Sequence, residues 1–375
     1  MNAWRNGSCT ALVAALMAGS ALAADDGRIV VGQTVALTGG IAEHGQAVAA
    51  GARALIEGVN AAGGIAGRRI SLVTLDDGGD ASRAAENTRR LIETEGVVAM
   101  FGGVEGGPCV ASLKEASDRG VPLIACMAGS PEMREPFNRY SFPVRAPHLE
   151  EFAKLLDVSK TYGYRRIAFL HADSDTGRKH LANVQRLAAA RQLEVAPIVA
   201  KSGGTPESLA AAIIAARPDA VFNHGSYAIY SGAIREARSK GLRTQFMAVN
   251  SGAAQMAKQL GDEAKGLIFT QVVPFPWSVA IPLVKEYQQA LARHAPPGTQ
   301  PSFSGLEGYA SAKVLVAGLR SAGGKSLTRD TLQRAMETLG SVDLGGMTVK
   351  YSPGAHPGSN FVDTVIVASD GRFAR

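Results

Sequence analysis

Four aspartates have the residue type and the close spacing that acid–base catalysis or metal binding would need. The four are Asp76, Asp77, Asp173 and Asp175. All of them lie at or just after the end of a candidate strand, where an aspartate more commonly forms a turn or is solvated. The seven histidines are scattered along the sequence, and His171 and His180 lack the i, i+4 spacing of a helical metal-binding pair. We therefore predict no metal site and no cofactor.

Sequence motifs of nucleotide-binding and hydrolytic enzymes are incomplete in this chain. The glycine cluster at 102–107 has Val104 where the G-x-G-x-x-G pattern requires a glycine. Residues 324–326 resemble the end of a P-loop, but Leu319 stands at the first glycine position of that motif. Neither G-x-S-x-G nor H-E-x-x-H occurs. These departures favour a protein that is not an enzyme.

The charge of the chain is too dispersed for a nucleic-acid-binding surface. Lys and Arg number 39 against 33 Asp and Glu, which gives a formal net charge of +6. The basic runs are pairs only: Arg68 with Arg69, Arg89 with Arg90, and Arg165 with Arg166. With 375 residues, of which 46% are hydrophobic, the chain is too apolar to be disordered and too long for one core. We expect two domains and no nucleic-acid partner.

The first 23 residues have the pattern of a secretory signal peptide. Arg5 precedes an apolar stretch at 11–19, and Ala21 and Ala23 are the small residues of an A-x-A cleavage site. A membrane anchor would need about 20 apolar residues, more than this stretch offers. A lipoprotein would need the apolar stretch before Cys9, whereas here it follows. We therefore predict cleavage after Ala23 and export of the mature chain.

Removal of the signal leaves two cysteines, Cys109 and Cys126. An oxidising compartment permits a disulfide between them, but the sequence alone does not show that they meet. Their pairing therefore stays open at this point.

Short runs rich in Val, Ile and Leu alternate with longer helical patterns along the mature chain. Strands are predicted at 29–37, 70–76, 97–102, 123–126, 166–171, 194–200, 220–224, 245–249 and 266–272. Helices are predicted at 45–61, 81–95, 109–118, 150–162, 176–190, 205–215, 230–239, 281–295, 305–319 and 328–339, with a final hairpin of 347–351 and 361–368. Such alternation indicates βαβ units and parallel sheets. It occurs in two blocks, so we predict an α/β protein with two lobes and more than one crossover.

The residues that follow the strands are the candidate ligand contacts, because open α/β sheets bind ligands beyond the carboxyl ends of their strands. The first strand leads through a glycine-rich turn to His44, and the third leads to Gly106 and Gly107. Free N–H groups at these helix starts could hold a carboxylate or phosphate, or the glycines could only make a tight turn. Ser130, after the fourth strand, could cap the following helix or contact the ligand.

In the second lobe the strand ends supply hydroxyl, phenol and amide groups, which suit binding better than catalysis. These candidates are Thr176, Ser226, Tyr227 and Asn250.

Segments across the whole mature chain resemble the periplasmic leucine/isoleucine/valine-binding protein family. They lie at 33–39, 59–69, 142–146, 271–274 and 306–310, in the order expected. The resemblance implies a type I periplasmic-binding-protein fold, with two Rossmann-like lobes joined by three crossover segments. It places lobe 1 at 27–146 and 275–345, and lobe 2 at 147–274 and 346–375. It also implies a monomer in the periplasm that delivers a small-molecule ligand to an ABC permease of the inner membrane.

The resemblance also assigns site positions, and several of them depart from the amino-acid binders. A Ser and a Thr that hold the ligand carboxylate correspond to positions near Gly106 and Gly129, with Ala128 beside them, so the hydroxyls are missing unless Ser130 substitutes. His44 replaces an aromatic residue and Thr176 a tyrosine, while Ser226 or Tyr227 falls at a second tyrosine.

The carboxylate that pairs with the ligand ammonium corresponds to Asn250, which cannot supply a negative charge. A buried ammonium without a counter-charge would be costly. We therefore expect a ligand other than a simple branched-chain amino acid, such as a small carboxylate, amide or aromatic acid.

Three functions remain open on the sequence. The first is a solute-binding protein that captures a small polar organic ligand, such as an amino acid, an amide or a carboxylate, for an ABC importer. The second is a ligand sensor of the same fold that signals to a membrane partner. The third is an exported enzyme that uses Asp76, Asp77 or His44.

Overall fold

The computed structural model describes Met1 and residues 27–375 of the chain. The predicted signal peptide, with its cleavage after Ala23, lies outside the described residues. Among the residues described, no helix is both long and apolar enough to cross a bilayer.

Short strands alternate with longer helices, as the hydrophobic pattern predicts. The strands are β1 (Arg28–Val35), β2 (Arg69–Asp76), β3 (Ala99–Phe101), β4 (Leu123–Ile124), β5 (Ser141–Phe142), β6 (Arg166–Ala172), β7 (Glu194–Ala200), β8 (Ala220–His224), β9 (Gln245–Ala248), β10 (Ile268–Gln271), β11 (Gly340–Asp343), β12 (Thr348–Ser352), β13 (Ala355–Gly358), β14 (Asp363–Val367) and β15 (Phe373–Ala374). The helices are α1 (Ala42–Ala61), α2 (Ala81–Thr94), α3 (Gly106–Asp118), α4 (His148–Thr161), α5 (Asp175–Ala189), α6 (Pro206–Ala216), α7 (Tyr227–Ser239), α8 (Ala253–Leu260), α9 (Pro282–His294), α10 (Phe303–Ser321) and α11 (Arg329–Glu337). Of the helices, α8 is the one that the sequence pattern does not predict.

The first lobe is built on a parallel sheet of order β2-β1-β3-β4-β5. Ile29 and Val31 of β1 pack with α1, α9 and α10 on one face of this sheet. On the other face, Met100 packs with α2 and α3. Both faces are therefore covered, which explains why these strands are continuous apolar runs.

The second lobe contains a seven-stranded sheet of order β15-β14-β10-β9-β8-β6-β7. Strands β6 to β10 are parallel, whereas β14 runs antiparallel to β10 at one side. Neighbouring residues of β8 point to opposite faces: Val221 packs with α6, α7 and α8, and Phe222 packs with α4 and α5.

The chain passes between the two lobes three times. It leaves the first lobe between β5 and α4, returns between β10 and α9, and crosses again between β13 and β14. This confirms the predicted α/β fold with two lobes and three crossover segments.

The C-terminal segment differs from the predicted hairpin. Strand β12 pairs with β11 and β13 in a three-stranded sheet, while β14 pairs with β10 and β15 of the second lobe. Met347, Val349 and Tyr351 are buried in the core of the first lobe. The prediction that 347–351 pairs with 361–368 is therefore wrong, and we propose that the last crossover lies near 359–362 instead of at 345.

A disulfide joins Cys109 in α3 to Cys126 just after β4, with 5.7 Å between their Cα atoms. Both residues are buried. The two cysteines whose pairing the sequence leaves open thus form a disulfide, which holds the first turn of α3 against the segment that follows β4.

Candidate functional site

The carboxyl ends of the two parallel sheets meet across a cleft between the lobes. The hydroxyl of Tyr227, at the start of α7, donates to the carbonyl of Gly40 in the first lobe at 2.9 Å. The hydroxyl of Thr176 donates across the same cleft to a carboxylate oxygen of Glu132 at 3.2 Å. The loops predicted to carry ligand contacts therefore face each other.

One cavity of about 540 Å³ lies at the start of α3, and we call it the α3 pocket. Five of the predicted site residues line it: Gly106, Gly107, Ala128, Ser130 and Thr176. Glu105 precedes α3 with a φ of +70° and makes no side-chain cap. The first N–H groups of the helix are therefore left uncapped beside the cavity, together with the positive end of the helix dipole.

Ser130 has the position of a helix cap but does not act as one. It precedes a short 3-10 helix, Pro131–Met133, and its side chain makes no capping hydrogen bond there. A Cβ atom added to Gly106 would lie 2.6 Å from the Ser130 hydroxyl. The absence of a side chain at Gly106 is what lets this hydroxyl approach the start of α3.

Three predicted residues line neither the α3 pocket nor the second cavity of the cleft, which lies beside the starts of α1 and α10. Gly129 lies against His148, and a Cβ added there would be 2.7 Å from the imidazole ring. Ser226 caps α7 by accepting the N–H of Ile229 at 3.4 Å. Tyr227 contacts the opposite lobe through its hydroxyl. The structure thus gives these three residues packing, capping and lobe-contact roles.

A second cavity of about 630 Å³ contains the other two predicted residues, His44 and Asn250. Aromatic side chains form much of its wall, and we call it the aromatic pocket. They are Phe275, Trp277, Phe303 and Phe373. His44 Nδ1 lies 2.7 Å from the hydroxyl of Ser304 at the start of α10. Burial, and then the nearby charge of Arg145, lower the pKa of His44 to about 4, so the ring is neutral at physiological pH.

Two carboxyl groups of the cleft were missed by sequence reasoning. Glu105 lines the α3 pocket and Glu307 lines the aromatic pocket. Burial raises the pKa of Glu105, and it raises the pKa of Glu307 to about 7 despite the opposing charge of Arg145. Glu307 belongs to a segment that carries the family resemblance, but nothing in a single sequence indicates that its side chain turns into the cleft.

Glu151 organises the floor of the cleft. One of its carboxylate oxygens accepts from the Arg145 guanidinium and lies 2.9 Å from His148 Nδ1. The other accepts the backbone N–H of Asn250 at 2.9 Å and the hydroxyl of Thr270. Burial alone would raise the pKa of Glu151, but these partners lower it to about 2. A fully buried carboxylate thus ties the first crossover segment to the ends of β9 and β10.

Three histidines that are far apart in the sequence come together beside this carboxylate. The ring centroids of His180 and His224 are 4.0 Å apart, and that of His148 lies 4.4 Å from His224. Burial lowers the pKa of all three, that of His180 to about 3. Within residues 27–375, no group of three or more His, Cys, Asp or Glu residues is arranged to hold a metal ion. The scattered spacing in sequence is therefore a poor guide to their positions in space.

The candidate catalytic aspartates have structural partners instead. Asp76 accepts the N–H groups of Leu37, Thr38 and Gly78, which hold the turn after β1 against the turn after β2. Asp77 accepts the N–H of Gly79 at 2.8 Å. These contacts match the turn-forming role that is common for aspartate at strand ends.

The two lobes and the cleft between their strand ends define a class of solute-binding protein that holds its ligand between α/β domains. The chain belongs to the periplasmic binding protein family, whose sequence model matches residues 28–372. This confirms the predicted family and its type I fold. The family consists of solute-binding proteins that are not enzymes, which agrees with the incomplete catalytic motifs.

Similar proteins differ in what their names say they bind. The leucine-specific-binding protein of Salmonella typhimurium is 27% identical over 270 residues, 69% of this chain and 70% of that protein. A possible leucine/isoleucine/valine-binding protein from Rhodopirellula baltica has a TM-score of 0.82 and 28% identity, over 93% of this chain and 97% of that one. A fatty acid ABC transporter substrate-binding protein from Thermomonospora curvata has a TM-score of 0.80 at 19% identity, over 92% and 89% of the two chains, which is a likeness of fold alone.

Proposed function

We propose that this chain is the periplasmic solute-binding component of an ABC importer and captures a small polar organic solute between its lobes. The observation that supports this most directly is the pair of cavities at the facing strand ends, because ligands of this architecture bind there. A monomer that closes on its ligand and presents the closed form to a permease in the inner membrane fits this geometry.

We propose further that the solute is an amide, a carboxylate or a related polar molecule, and not a simple branched-chain amino acid. Asn250 stands at the position of the carboxylate that pairs with the ligand ammonium in the amino-acid binders, and its amide is uncharged. Glu105 and Glu307 border the cleft, but burial disfavours the ionised form of both. Glu307, with a pKa of about 7, is therefore only partly ionised at neutral pH and offers an ammonium group an incomplete counter-charge.

Thermal unfolding of the mature chain in the presence of candidate solutes tests this proposal. A ligand that binds only the folded state raises the melting temperature, by several degrees when its concentration is far above Kd. We expect such a rise with a carboxylate or an amide, and no rise with leucine or valine at micromolar concentration. A rise with either amino acid would contradict the argument from Asn250. Mass spectrometry of the bound compound should return it unchanged, whereas turnover would indicate an enzyme.

A matched pair of variants tests whether residue 250 faces the ligand amine. Asn250→Asp supplies the missing charge and should allow leucine to raise the melting temperature. Asn250→Leu removes the amide without adding a charge and should not. If Asn250→Asp gained no response to any zwitterion, residue 250 would not face the ligand amine.

A further inference from the structure

We propose that the aromatic pocket recognises an aryl carboxamide, a flat aromatic ring that carries a primary amide. This inference rests on the proposed function, since it names the class of solute that the cleft would capture. It follows from the hydrogen-bonding groups of the pocket and from the nature of its wall.

Three polar atoms in the wall of this pocket are buried and have no hydrogen-bond partner among residues 27–375. They are Asn250 Oδ1, Gln271 Nε2 and Glu307 Oε1. The side chains of Gln271 and Glu307 belong to residues with only 2% and 3% exposure. A buried polar atom without a partner costs about 1–3 kcal/mol, so a ligand that pairs with these atoms gains that amount for each.

The three atoms define the ligand group that would complement them. The Asn250 and Glu307 oxygens accept hydrogen bonds, and the Gln271 nitrogen donates. A primary amide offers two N–H donors and one carbonyl acceptor, which is the matching set. A carboxylate offers acceptors only, so its oxygens would pair with the Gln271 nitrogen but leave the Asn250 oxygen facing another acceptor.

The wall of the pocket suits an aromatic ring. Phe303 lies at the centre of an edge-to-face cluster, with ring centroids 5.9 Å from Phe275, 5.6 Å from Trp277 and 5.7 Å from Phe373. Aromatic pairs in such geometries gain about 0.5–1.5 kcal/mol beyond the area they bury. The cavity of about 630 Å³ lies within the size range of small-molecule sites and holds a single ring with its substituent.

Charges around the pocket are few, which favours a neutral ligand. Arg372 is on the rim, where its side chain is exposed and paired with Asp370 at 2.9 Å. Deeper in the cleft, Arg145 is already matched by Glu151. His44 is a neutral ring that contacts Ser304. Glu307 Oε1 lies 4.0 Å from Arg145 Nε, and its pKa of about 7 leaves it only partly ionised at neutral pH. The pocket therefore offers neither a free cation nor a fully charged anion.

Titration calorimetry of the mature chain with four small probes tests the inference. Benzamide carries the proposed group, and acetophenone has the same shape but a methyl group in place of NH2. Benzoate and benzylamine replace the amide with an anion and a cation. We expect benzamide to bind at least tenfold more tightly than the other three, because only benzamide pairs with all three atoms.

Two variants on different elements show whether the preference comes from these atoms. Asn250→Leu removes an acceptor and should reduce the preference for benzamide over acetophenone about tenfold. Gln271→Met keeps the size of the side chain but removes the hydrogen-bond donor, and it should weaken the binding of benzamide about tenfold. Gln185→Met makes the same substitution at an exposed position of α5 and is the control, which should leave benzamide binding unchanged. Ser130→Ala tests whether the α3 pocket holds the probe instead. The ratio of the affinities for benzamide and acetophenone separates recognition of the amide from a general loss of packing. Melting curves confirm that each variant folds.

The possible failures are distinguishable. Tighter binding of benzoate, benzylamine or acetophenone, or a benzamide affinity that depends on Ser130 and not on Gln271, would overturn the aryl-carboxamide inference and leave the solute-binding function standing. Binding of an aliphatic carboxylate or amide without any aryl probe would do the same. If no organic solute of any class stabilised the chain, the proposed function would fail as well.

Discussion

At the scale of single residues, Glu151 is the most consequential side chain of the cleft. It is a fully buried carboxylate with four donors: Arg145, His148, Thr270 and the N–H of Asn250. A buried charge is tolerated only when its partners replace the water it has lost. Removal of the charge would leave the Arg145 guanidinium buried, with the Glu307 carboxyl, 4.0 Å from its Nε, as its remaining acidic neighbour.

We expect Glu151→Gln to destabilise the protein by about 3–5 kcal/mol at neutral pH, the usual cost of breaking a buried ion pair. The matched control is Glu150→Gln, a neighbouring acidic residue of the same first helical turn, which should change stability by less than about 0.5 kcal/mol. Chemical denaturation of both variants measures the difference. Equal stabilities would show that the Arg145–Glu151 pair contributes nothing net.

The same residue predicts a pH dependence. The pKa of Glu151 is lowered to about 2 in the folded protein, below the value of about 4.3 for an unfolded glutamate. Its contribution to stability is therefore complete above about pH 5 and is lost as the pH falls towards 2. The melting temperature of Glu151→Gln should fall less steeply than that of the parent protein over this range. If the melting temperatures of the variant and the parent fell equally steeply with pH, the acid sensitivity would come from other groups.

The sequence predicts site residues best where a backbone feature controls the geometry. Gly106 and Gly107 lie at the α3 pocket because a glycine-rich turn after a strand leads directly into a helix. Gly129 follows a strand in the same way, but its missing side chain makes room for His148. Glu307 lies in α10, and its side chain lines the cleft because of how that helix packs against distant parts of the chain. No local sequence pattern contains that information.

At the scale of elements, the contact between α1 and α10 sets the position of the aromatic pocket. A Cβ atom added to Gly51 would lie 1.8 Å from the carbonyl oxygen of Gly305, so the two helix backbones are in direct contact there. His44 at the start of α1 and Ser304 at the start of α10 meet near this contact. The helix spacing therefore fixes two residues of the pocket at once.

We expect Gly51→Ala to destabilise the protein by at least 1–3 kcal/mol, since its methyl group would meet backbone that cannot move cheaply. Gly58→Ala is the matched control on the same helix, because its nearest neighbour would be the His294 ring at an ordinary 3.5 Å. Alanine is favoured over glycine in a helix by about 1 kcal/mol, so this control should stabilise. Chemical denaturation of the two variants measures both effects. A Gly51→Ala protein as stable as its parent would mean that α1 and α10 can separate freely.

The boundaries of most elements follow from the sequence, and the exceptions have a physical cause. The strand that pairs with β12 after the turn at 353–354 is β13, whose sequence includes Pro357 and Gly358. Because proline and glycine are depleted in strands, the sequence pattern favours the apolar run at β14 as the partner of β12. Strand β14 instead pairs with β10, which lies almost one hundred residues earlier in the chain. A pairing between such distant segments cannot be recognised from a local sequence pattern.

At the scale of the whole molecule, the proposed function depends on closure of the two lobes, and Tyr227 connects them. Its hydroxyl reaches the Gly40 carbonyl of the opposite lobe at 2.9 Å. The ion pair between Lys258 and Glu43 has both side chains largely exposed, so it adds little. The measured affinity of a ligand that binds the closed form falls in proportion to the fraction of protein that is closed.

We therefore expect Tyr227→Phe to weaken every cleft ligand by about the same factor, without a change in which ligand is preferred. One neutral hydrogen bond contributes about 0.5–1.5 kcal/mol, which corresponds to a two- to tenfold rise in Kd. Tyr162→Phe, at an exposed position after α4, is the control and should leave Kd unchanged. Solution scattering at increasing ligand concentration provides the second measurement, because the variant should need more ligand to reach the same decrease in radius of gyration. A loss of affinity for one ligand alone would place Tyr227 in the binding site, and an unchanged Kd for all would show that this contact has no part in closure.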